Sequence, residues 1–272
     1  MIKETGPVRL RWQVPWVLRV IAPGHQAFTD WQGWVRPLAK EAFKITIVGI
    51  DTEIRGVITD WGGVLTTPIL TTVQAWIEAD EIDWNCYRTV MRRWVAQAYD
   101  IDGSTNPVHA LERGECQVDE FERILAAKLF RIDGGAVAAE GLLQRMFAAS
   151  QTIPAMYDVI RTLRESGLRT ALLSNSWGAD DYPREDFPSL FDAVVISGEV
   201  GMRKPEEAIF RHAADALGLA PGECVFIDDM EANVAAAVDC GMTGVLHTEA
   251  AETAAALQDL LGVPLDGSEQ AP

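Results

Sequence analysis

The feature that most constrains the fold is an alternation of short apolar segments with amphipathic helical segments through the second half of the chain. We predict strands at 54–59, 170–173, 193–196, 225–227 and 243–246. We predict helices at 156–163, 205–217 and 231–239. Apolar strands joined by helices are typical of a parallel sheet that is covered on both faces. The sequence therefore predicts a doubly wound, Rossmann-like α/β fold.

An all-helical segment interrupts this pattern after the first strand. Residues 68–150 carry apolar side chains at helical spacing and no strand signal, and we predict four helices there, the fourth at 136–149. Asp83 is placed to cap the second of them. The predicted domains are an N-terminal extension of unknown role at 1–53, an α/β core at 54–67 and 151–264, an inserted all-helical domain at 68–150, and a flexible tail at 265–272.

The composition excludes several kinds of partner. The chain has 40 Asp and Glu residues against 23 Lys and Arg residues, a formal net charge of −17. Nucleic acids and anionic membranes are bound mainly through lysine and arginine, so we expect neither as a partner. No apolar run approaches the roughly 18 residues of a membrane helix, and no secretory signal is recognisable. The four cysteines form no C-x-x-C pair, so we expect free thiols and a cytoplasmic protein.

Polar residues follow the predicted strands at the points where the strands end. Asp60, Ser174 and the Asp228-Asp229 pair all occupy such positions, and Lys204 precedes Pro205 in the chain. Each has an ordinary alternative, because aspartates cap helices and Ser-Asn pairs form turns. Ligands of parallel sheets bind beyond the carboxyl ends of the strands, however, where these side chains would meet. Carboxylates suit magnesium, while a hydroxyl and a lysine suit phosphate oxygens.

This set of motifs resembles the haloacid dehalogenase superfamily over nearly all of the chain after Ile54. Segments 57–66, 172–176, 201–205 and 225–229 look like its four core motifs, and the helical segment occupies the position of its small cap. Segment 111–115, followed by Phe121, is similar to caps of the epoxide hydrolase phosphatase-domain branch. The resemblance implies a hydrolase that uses magnesium and acts on phosphate monoesters of a small metabolite through an aspartyl-phosphate.

The resemblance also implies roles for individual residues. Asp60 would be the nucleophile, and Lys204 the balancing cation. Ser174 and Asn175, with Lys204, would bind phosphate. The magnesium ligands would be Asp60, the backbone carbonyl of Gly62, Asp229 and, in support, Asp228. The sequence leaves open whether the chain forms a homodimer.

One departure from the family pattern concerns the acid–base group. The usual first motif has a second aspartate two positions after the nucleophile, where this chain has Gly62, and glycine cannot transfer a proton. Two alternatives therefore stay open. One is a metal-independent 2-haloacid dehalogenase. The other is a phosphate-binding or regulatory module with weak or no turnover.

Four other residues have features that could place them in the site. Asp51 follows a second apolar segment, at 45–50, but it lacks the glycines that follow Asp60. His212 is interpreted as a surface or packing residue, and Trp177 as a packing residue. His109 is a candidate for approaching the substrate.

Overall fold

The computed structural model describes residues 53–96, 106–178 and 182–265. Five parallel strands form one sheet in the order β3-β2-β1-β4-β5. The strands are β1 (Gly56–Thr59), β2 (Arg169–Ser174), β3 (Ala193–Ile196), β4 (Cys224–Asp228) and β5 (Thr243–Leu246). The predicted parallel sheet is confirmed, although β1 is paired with its neighbours from Gly56 onward rather than from residue 54.

Helices follow the strands along the chain. In the described residues, five lie between β1 and residue 150: α1 (Ile69–Ala79), α2 (Trp84–Ala96), α3 (Pro107–Glu112), α4 (Val118–Ala126) and α5 (Leu142–Phe147). The others are α6 (Pro154–Glu165), α7 (Phe187–Leu190), α8 (Ser197–Val200), α9 (Glu207–Ala216), α10 (Glu231–Asp239) and α11 (Ala250–Leu261). A turn of 3₁₀ helix at Pro221–Glu223 precedes β4.

Successive residues of the central strands enter different hydrophobic layers, because side chains alternate between the two faces of a strand. Val57 of β1 packs in one layer with residues of α6 and α11. Its neighbour Ile58 packs in the other layer with residues of α9 and α10. In that second layer the rings of Phe210 and Phe226 meet edge to face, with centroids 5.2 Å apart. Helices therefore cover both faces, as the doubly wound prediction requires.

The segment at 68–150, called the helical insert below, has a hydrophobic cluster of its own. Val73, Trp76 and Ile77 of α1 are buried in it with Phe121 of α4. The backbone N–H of Cys86 donates to Asp83 Oδ1 at 2.7 Å, so the predicted cap of α2 is confirmed. Extended structure within the insert's described residues consists of isolated bridges, such as that between 82 and 131. The predicted domain boundaries stay predictions.

Two predicted helices are wrong in extent. The helix predicted at 136–149 is limited to α5, because Gly141 at φ +65° precedes it. The Glu122 carboxylate accepts hydrogen bonds from the backbone N–H groups of Gly141 and Leu143, which fixes this start. The helix predicted to open at Pro205 begins at Glu207. A turn closed by the bond from Glu206 N–H to the Arg203 carbonyl comes first.

The residues outside the described ranges include Asp51, so its interpretation is not tested. Among residues 53–96, 106–178 and 182–265, no helix has both the length and the apolar character needed to cross a membrane.

Candidate active site

The three central strands bring the predicted site residues to one edge of the sheet. Asp60 follows β1, Ser174 ends β2 and Asp228 ends β4, and β1 lies between the other two strands. In the sheet register Thr59 pairs with Leu172 on one side and with Ile227 on the other. The next residue, Asp60, donates its backbone N–H to the Ile227 carbonyl at 2.8 Å. The nucleophile candidate therefore lies level with Asp228.

Lys204 lies between two of these carboxylates and is 1% exposed. Its Nζ is 2.7 Å from Asp60 Oδ1 and 2.7 Å from Asp228 Oδ2. Burial alone would lower the pKa of Lys204, but the two carboxylates outweigh burial and raise the pKa above its usual value. The lysine is therefore a permanent cation within reach of whatever binds beside Asp60.

The position of Lys204 depends on Asn175. The Asn175 side-chain amide donates to the Lys204 carbonyl at 3.0 Å, and its Oδ1 accepts from the Lys204 N–H at 2.8 Å. Both ends of the amide are thus bonded to one residue. In the structure Asn175 holds the lysine backbone, so its predicted role in binding phosphate itself stays a prediction.

Asp228 and Asp229 differ in how their carboxylates are engaged. Asp228 is fully buried and accepts from Met230 N–H at 2.8 Å, from Asn233 Nδ2 at 3.1 Å to each oxygen, and from Lys204. Most of its acceptor capacity is used. Asp229 is partly exposed and lies beside these residues. Asp228 therefore acts as a scaffold, and Asp229 is the carboxylate more available to a ligand.

Three carboxylates at this site repel one another. Ligand oxygens of Asp60, Asp228 and Asp229 lie within 4.8 Å of one another. Burial, opposed by Lys204 and reinforced by the other two aspartates, raises the pKa of Asp60 well above its usual value. Burial and Asp228 raise the pKa of Asp229 to about 6. With all three ionised, one lysine leaves two negative charges unbalanced. A divalent cation held by hard oxygen ligands fits both this charge and this donor set.

The two glycines after Asp60 have different surroundings. Gly63 has φ +81°, and a Cβ built on it would lie 2.2 Å from Asp229 Oδ2, so the carboxylate packs directly on its backbone. A Cβ on Gly62 would meet the side chain of Ile69, 3.1 Å from Cδ1. The position where the family carries its acid–base aspartate therefore faces an apolar side chain. Ile69 is 39% exposed.

Ser174 has a partner that the sequence analysis did not identify. Its Oγ lies 2.8 Å from the hydroxyl of Tyr182, and Ser174 is 3% exposed. The Tyr182 ring packs against Trp61, with centroids 5.5 Å apart. Tyr182 lies eight residues beyond Ser174, outside the motif, and nothing in its local pattern marks it as a site residue.

Three of the four other candidates, Trp177, His212 and His109, lie in the described part of the chain. Trp177 packs against Phe121 and Phe147 of the helical insert, at 5.9 Å between centroids in each case. His212 is exposed on α9. His109 on α3 is half-buried, and burial together with Arg203 and Arg113 lowers its pKa to about 4. His109 is therefore neutral at physiological pH.

Comparisons with known proteins agree with this architecture. A sequence model described as haloacid dehalogenase-like hydrolase matches residues 54–241. A predicted HAD-like family hydrolase from Porphyromonas gingivalis superposes with a TM-score of 0.52 and 26% identity. That alignment covers 77% of this chain and 98% of the other.

Curated relatives point to the same family. Bifunctional epoxide hydrolase 2 of Sus scrofa is 25% identical over 226 residues, which cover 78% of this chain and 40% of that protein. Sesquiterpene phosphatase astK of Aspergillus oryzae is 26% identical over 154 residues, 56% of this chain and 77% of that protein. The chain thus spans less than half the length of the epoxide hydrolase, and the predicted resemblance to that branch is confirmed.

Proposed function

The chain belongs to the haloacid dehalogenase-like hydrolases, and we propose that it is a magnesium-dependent phosphatase acting on phosphate monoesters of a small metabolite. The observation that carries the proposal is the buried Lys204 between Asp60 and Asp228, with the Asp229 carboxylate beside them. A phosphoryl group needs a nucleophile, compensating cations and hydrogen-bond donors in one place, and this arrangement supplies them.

Asp60 is the proposed nucleophile, and its two oxygens are not equivalent. Oδ1 accepts from the Trp61 N–H at 2.7 Å and from Lys204 Nζ at 2.7 Å. These bonds hold the carboxylate and leave Oδ2 as the attacking atom. Oδ2 forms a bond to phosphorus while the bond from phosphorus to the leaving oxygen breaks, which gives an aspartyl-phosphate. Water then attacks phosphorus, and Asp60 is regenerated with inorganic phosphate as the product.

The other residues stabilise charge on the phosphoryl oxygens. Lys204 supplies a fixed positive charge, and Ser174 supplies a hydroxyl donor. Asp60 and Asp229 would hold magnesium, with the Gly62 carbonyl as a further ligand and Asp228 in support. When bound, the metal neutralises charge on the transferred group.

The leaving group distinguishes this site from the usual family pattern. Gly62 cannot donate a proton, and Ile69 covers its position with hydrocarbon. The leaving oxygen therefore departs with little proton transfer, which favours acyl, anomeric or aryl phosphates over alkyl phosphates. The helical insert serves as the cap that excludes water and selects the leaving group. The apolar Ile69 beside this position is compatible with a hydrocarbon group on the substrate next to the phosphate.

The proposal is tested by assaying a panel of phosphate monoesters, including p-nitrophenyl phosphate, with magnesium and with EDTA. We expect turnover that requires magnesium and falls by at least about 10³-fold in Asp60→Asn, because the nucleophile is removed. Asp259→Asn, on the exposed face of α11, is the matched control and keeps full activity. Chloride release from 2-haloacids in EDTA would instead identify a dehalogenase. Phosphate binding without turnover of any ester would identify a binding module.

A further inference from the structure

The hydroxyl groups of Ser174, which is buried, and Tyr182, which is partly buried, form a pair at the site. The two oxygens are 2.8 Å apart, and either can be the donor. If Ser174 donates to Tyr182, its proton is used and its lone pairs face any bound phosphate. If Tyr182 donates, the Ser174 proton is free to point at a phosphate oxygen. The polarity of this one hydrogen bond therefore decides whether Ser174 attracts or repels an anion.

We propose that Tyr182 donates to Ser174 and thereby positions the serine hydroxyl as a donor to the phosphoryl group. This inference rests on the proposed function, since it assigns a role within that site. Phenol is the more acidic of the two hydroxyls and so the better donor. A hydroxyl that accepts one hydrogen bond becomes a stronger donor in the next, because bonds in a chain polarise one another.

The surroundings of Tyr182 hold its ring in the orientation that this role needs. The ring lies against Trp61, at 5.5 Å between centroids, and against Phe187, at 6.2 Å. Trp61 also donates its backbone N–H to Asp60 Oδ1. One residue thus fixes both the nucleophile and the ring that carries the Tyr182 hydroxyl. Burial raises the pKa of Tyr182 to about 12, so the phenol keeps its proton at neutral pH.

A second tyrosine in the same aromatic cluster provides a matched control. The ring of Tyr157 also packs against Trp61, at 6.2 Å between centroids. Its hydroxyl is buried, and it has no hydrogen-bond partner among the residues that the structure describes. Tyr157→Phe therefore removes an equivalent hydroxyl from the cluster without changing the bond to Ser174.

The experiment compares Tyr182→Phe, Tyr157→Phe, Ser174→Ala and the Ser174→Ala/Tyr182→Phe double variant. The readouts are the affinity for inorganic phosphate by calorimetry in magnesium, and kcat and KM for p-nitrophenyl phosphate. We expect Tyr182→Phe to weaken phosphate binding about fivefold, the usual effect of losing one neutral hydrogen bond. Tyr157→Phe should change it by less than about twofold, as for a hydroxyl without partners. In the double variant, phosphate affinity should equal that of Ser174→Ala alone, because Tyr182 acts through the serine.

Several outcomes overturn the inference. Phosphate affinity in Tyr182→Phe equal to that of the wild type contradicts it, and so do additive losses in the double variant, which would mean direct contact or general packing. Ser174→Ala provides a second test with Tyr182 intact. If this variant binds phosphate as tightly as the wild type does, the Ser174 hydroxyl does not bind phosphate, and Tyr182 cannot act through it. A wild type that binds phosphate but turns over no ester contradicts the proposed function and leaves the comparison of affinities decisive for Tyr182. A wild type that binds no phosphate contradicts both.

Discussion

The Glu112 carboxylate on α3 accepts a hydrogen bond from Arg203 Nε at 2.5 Å, in an ion pair that is largely shielded from water. Arg203 immediately precedes Lys204, so this pair ties the helical insert to the loop that carries the site lysine. The Ser197 hydroxyl strengthens the connection, since it donates to the Glu112 carbonyl at 2.5 Å and accepts from the Ser176 N–H at 2.7 Å. The insert and the core are therefore joined next to the site.

We predict that Glu112→Gln lowers the free energy of unfolding by about 3 kcal/mol, because it leaves the Arg203 side chain, which is only 14% exposed, without its counterion. Burial raises the pKa of Glu112 more than Arg203 lowers it, so the ion pair itself is not strongly favourable. The expected loss in the free energy of unfolding comes instead from the arginine charge that remains without a partner. The matched control is Glu81→Gln, which removes an exposed carboxylate from its pair with the partly buried Arg131, with an expected change below about 1 kcal/mol. Urea unfolding measures the free energy of unfolding of both variants. Equal losses in the two variants would contradict the prediction for Glu112.

Gly62→Asp is predicted to restore the acid–base group. The φ of Gly62 lies outside the left-handed region, and the nearest obstacle is the flexible end of Ile69, so the side chain can be accommodated. Proton transfer by a placed side chain contributes on the order of 10² to 10⁴ in rate. We expect kcat/KM to rise for alkyl phosphates and to change little for aryl phosphates, measured across esters of graded leaving-group pKa. A wild type whose rates do not depend on leaving-group pKa would mean that another residue already supplies the proton.

Gly63→Ala is predicted to damage the site, in contrast to Gly62→Ala. The added methyl group would lie 2.2 Å from Asp229 Oδ2, and φ of +81° disfavours alanine. We expect a loss of stability of about 1 to 3 kcal/mol and weaker magnesium binding, because Asp229 must move. Gly62→Ala adds the same methyl group one residue earlier without this contact. Calorimetric titration with magnesium compares the two variants, and equal affinities would contradict the prediction.

Asp229→Asn and Asp228→Asn should have different effects, although the residues are adjacent. Asp229→Asn is expected to weaken magnesium binding at least about tenfold with the fold intact, since a ligand is lost. Asp228→Asn should lower the free energy of unfolding by about 3 kcal/mol, because Lys204 loses a buried partner. Magnesium titration and urea unfolding of both variants separate the two roles. A variant of Asp229 that binds magnesium normally would show that this carboxylate is not a ligand.

His109 should make stability depend on pH. Its pKa is lowered from 6.5 to about 4 in the folded protein, so the unfolded chain takes up a proton at a higher pH. The contribution of neutral His109 to the free energy of unfolding is fully present above about pH 6.5 and is lost as the pH falls from about 6.5 toward about 4. His109 is only partly buried, so solvent screening reduces the loss of stability to about 1 kcal/mol. The free energy of unfolding, measured with urea, should fall between about pH 7.5 and about pH 5. His109→Gln should remove the part of this fall that is due to His109.

The positions of Asp60, Ser174 and Asp228 could be predicted because they depend on local pattern and simple topology. An apolar strand followed by a polar residue identifies where the strand ends, and parallel strands bring such ends to one edge. The extent of α5 and the start of α9 could not be predicted in this way. They depend on Glu122 binding the backbone of a remote segment, and on a turn before Glu207 that the helical pattern did not reveal.

The sequence by itself determined the parallel sheet, the inserted helices and the residues gathered at the strand ends. Only the tertiary structure decided which side chains bond to the site residues and their neighbours. Tyr182 bonds to Ser174, Asn175 to the Lys204 backbone, and Glu112 to Arg203. Strand and helix patterns are set by the burial of neighbouring residues, which a short window of sequence records. Hydrogen bonds and ion pairs between distant segments depend instead on distances of a few ångströms that arise when whole layers pack.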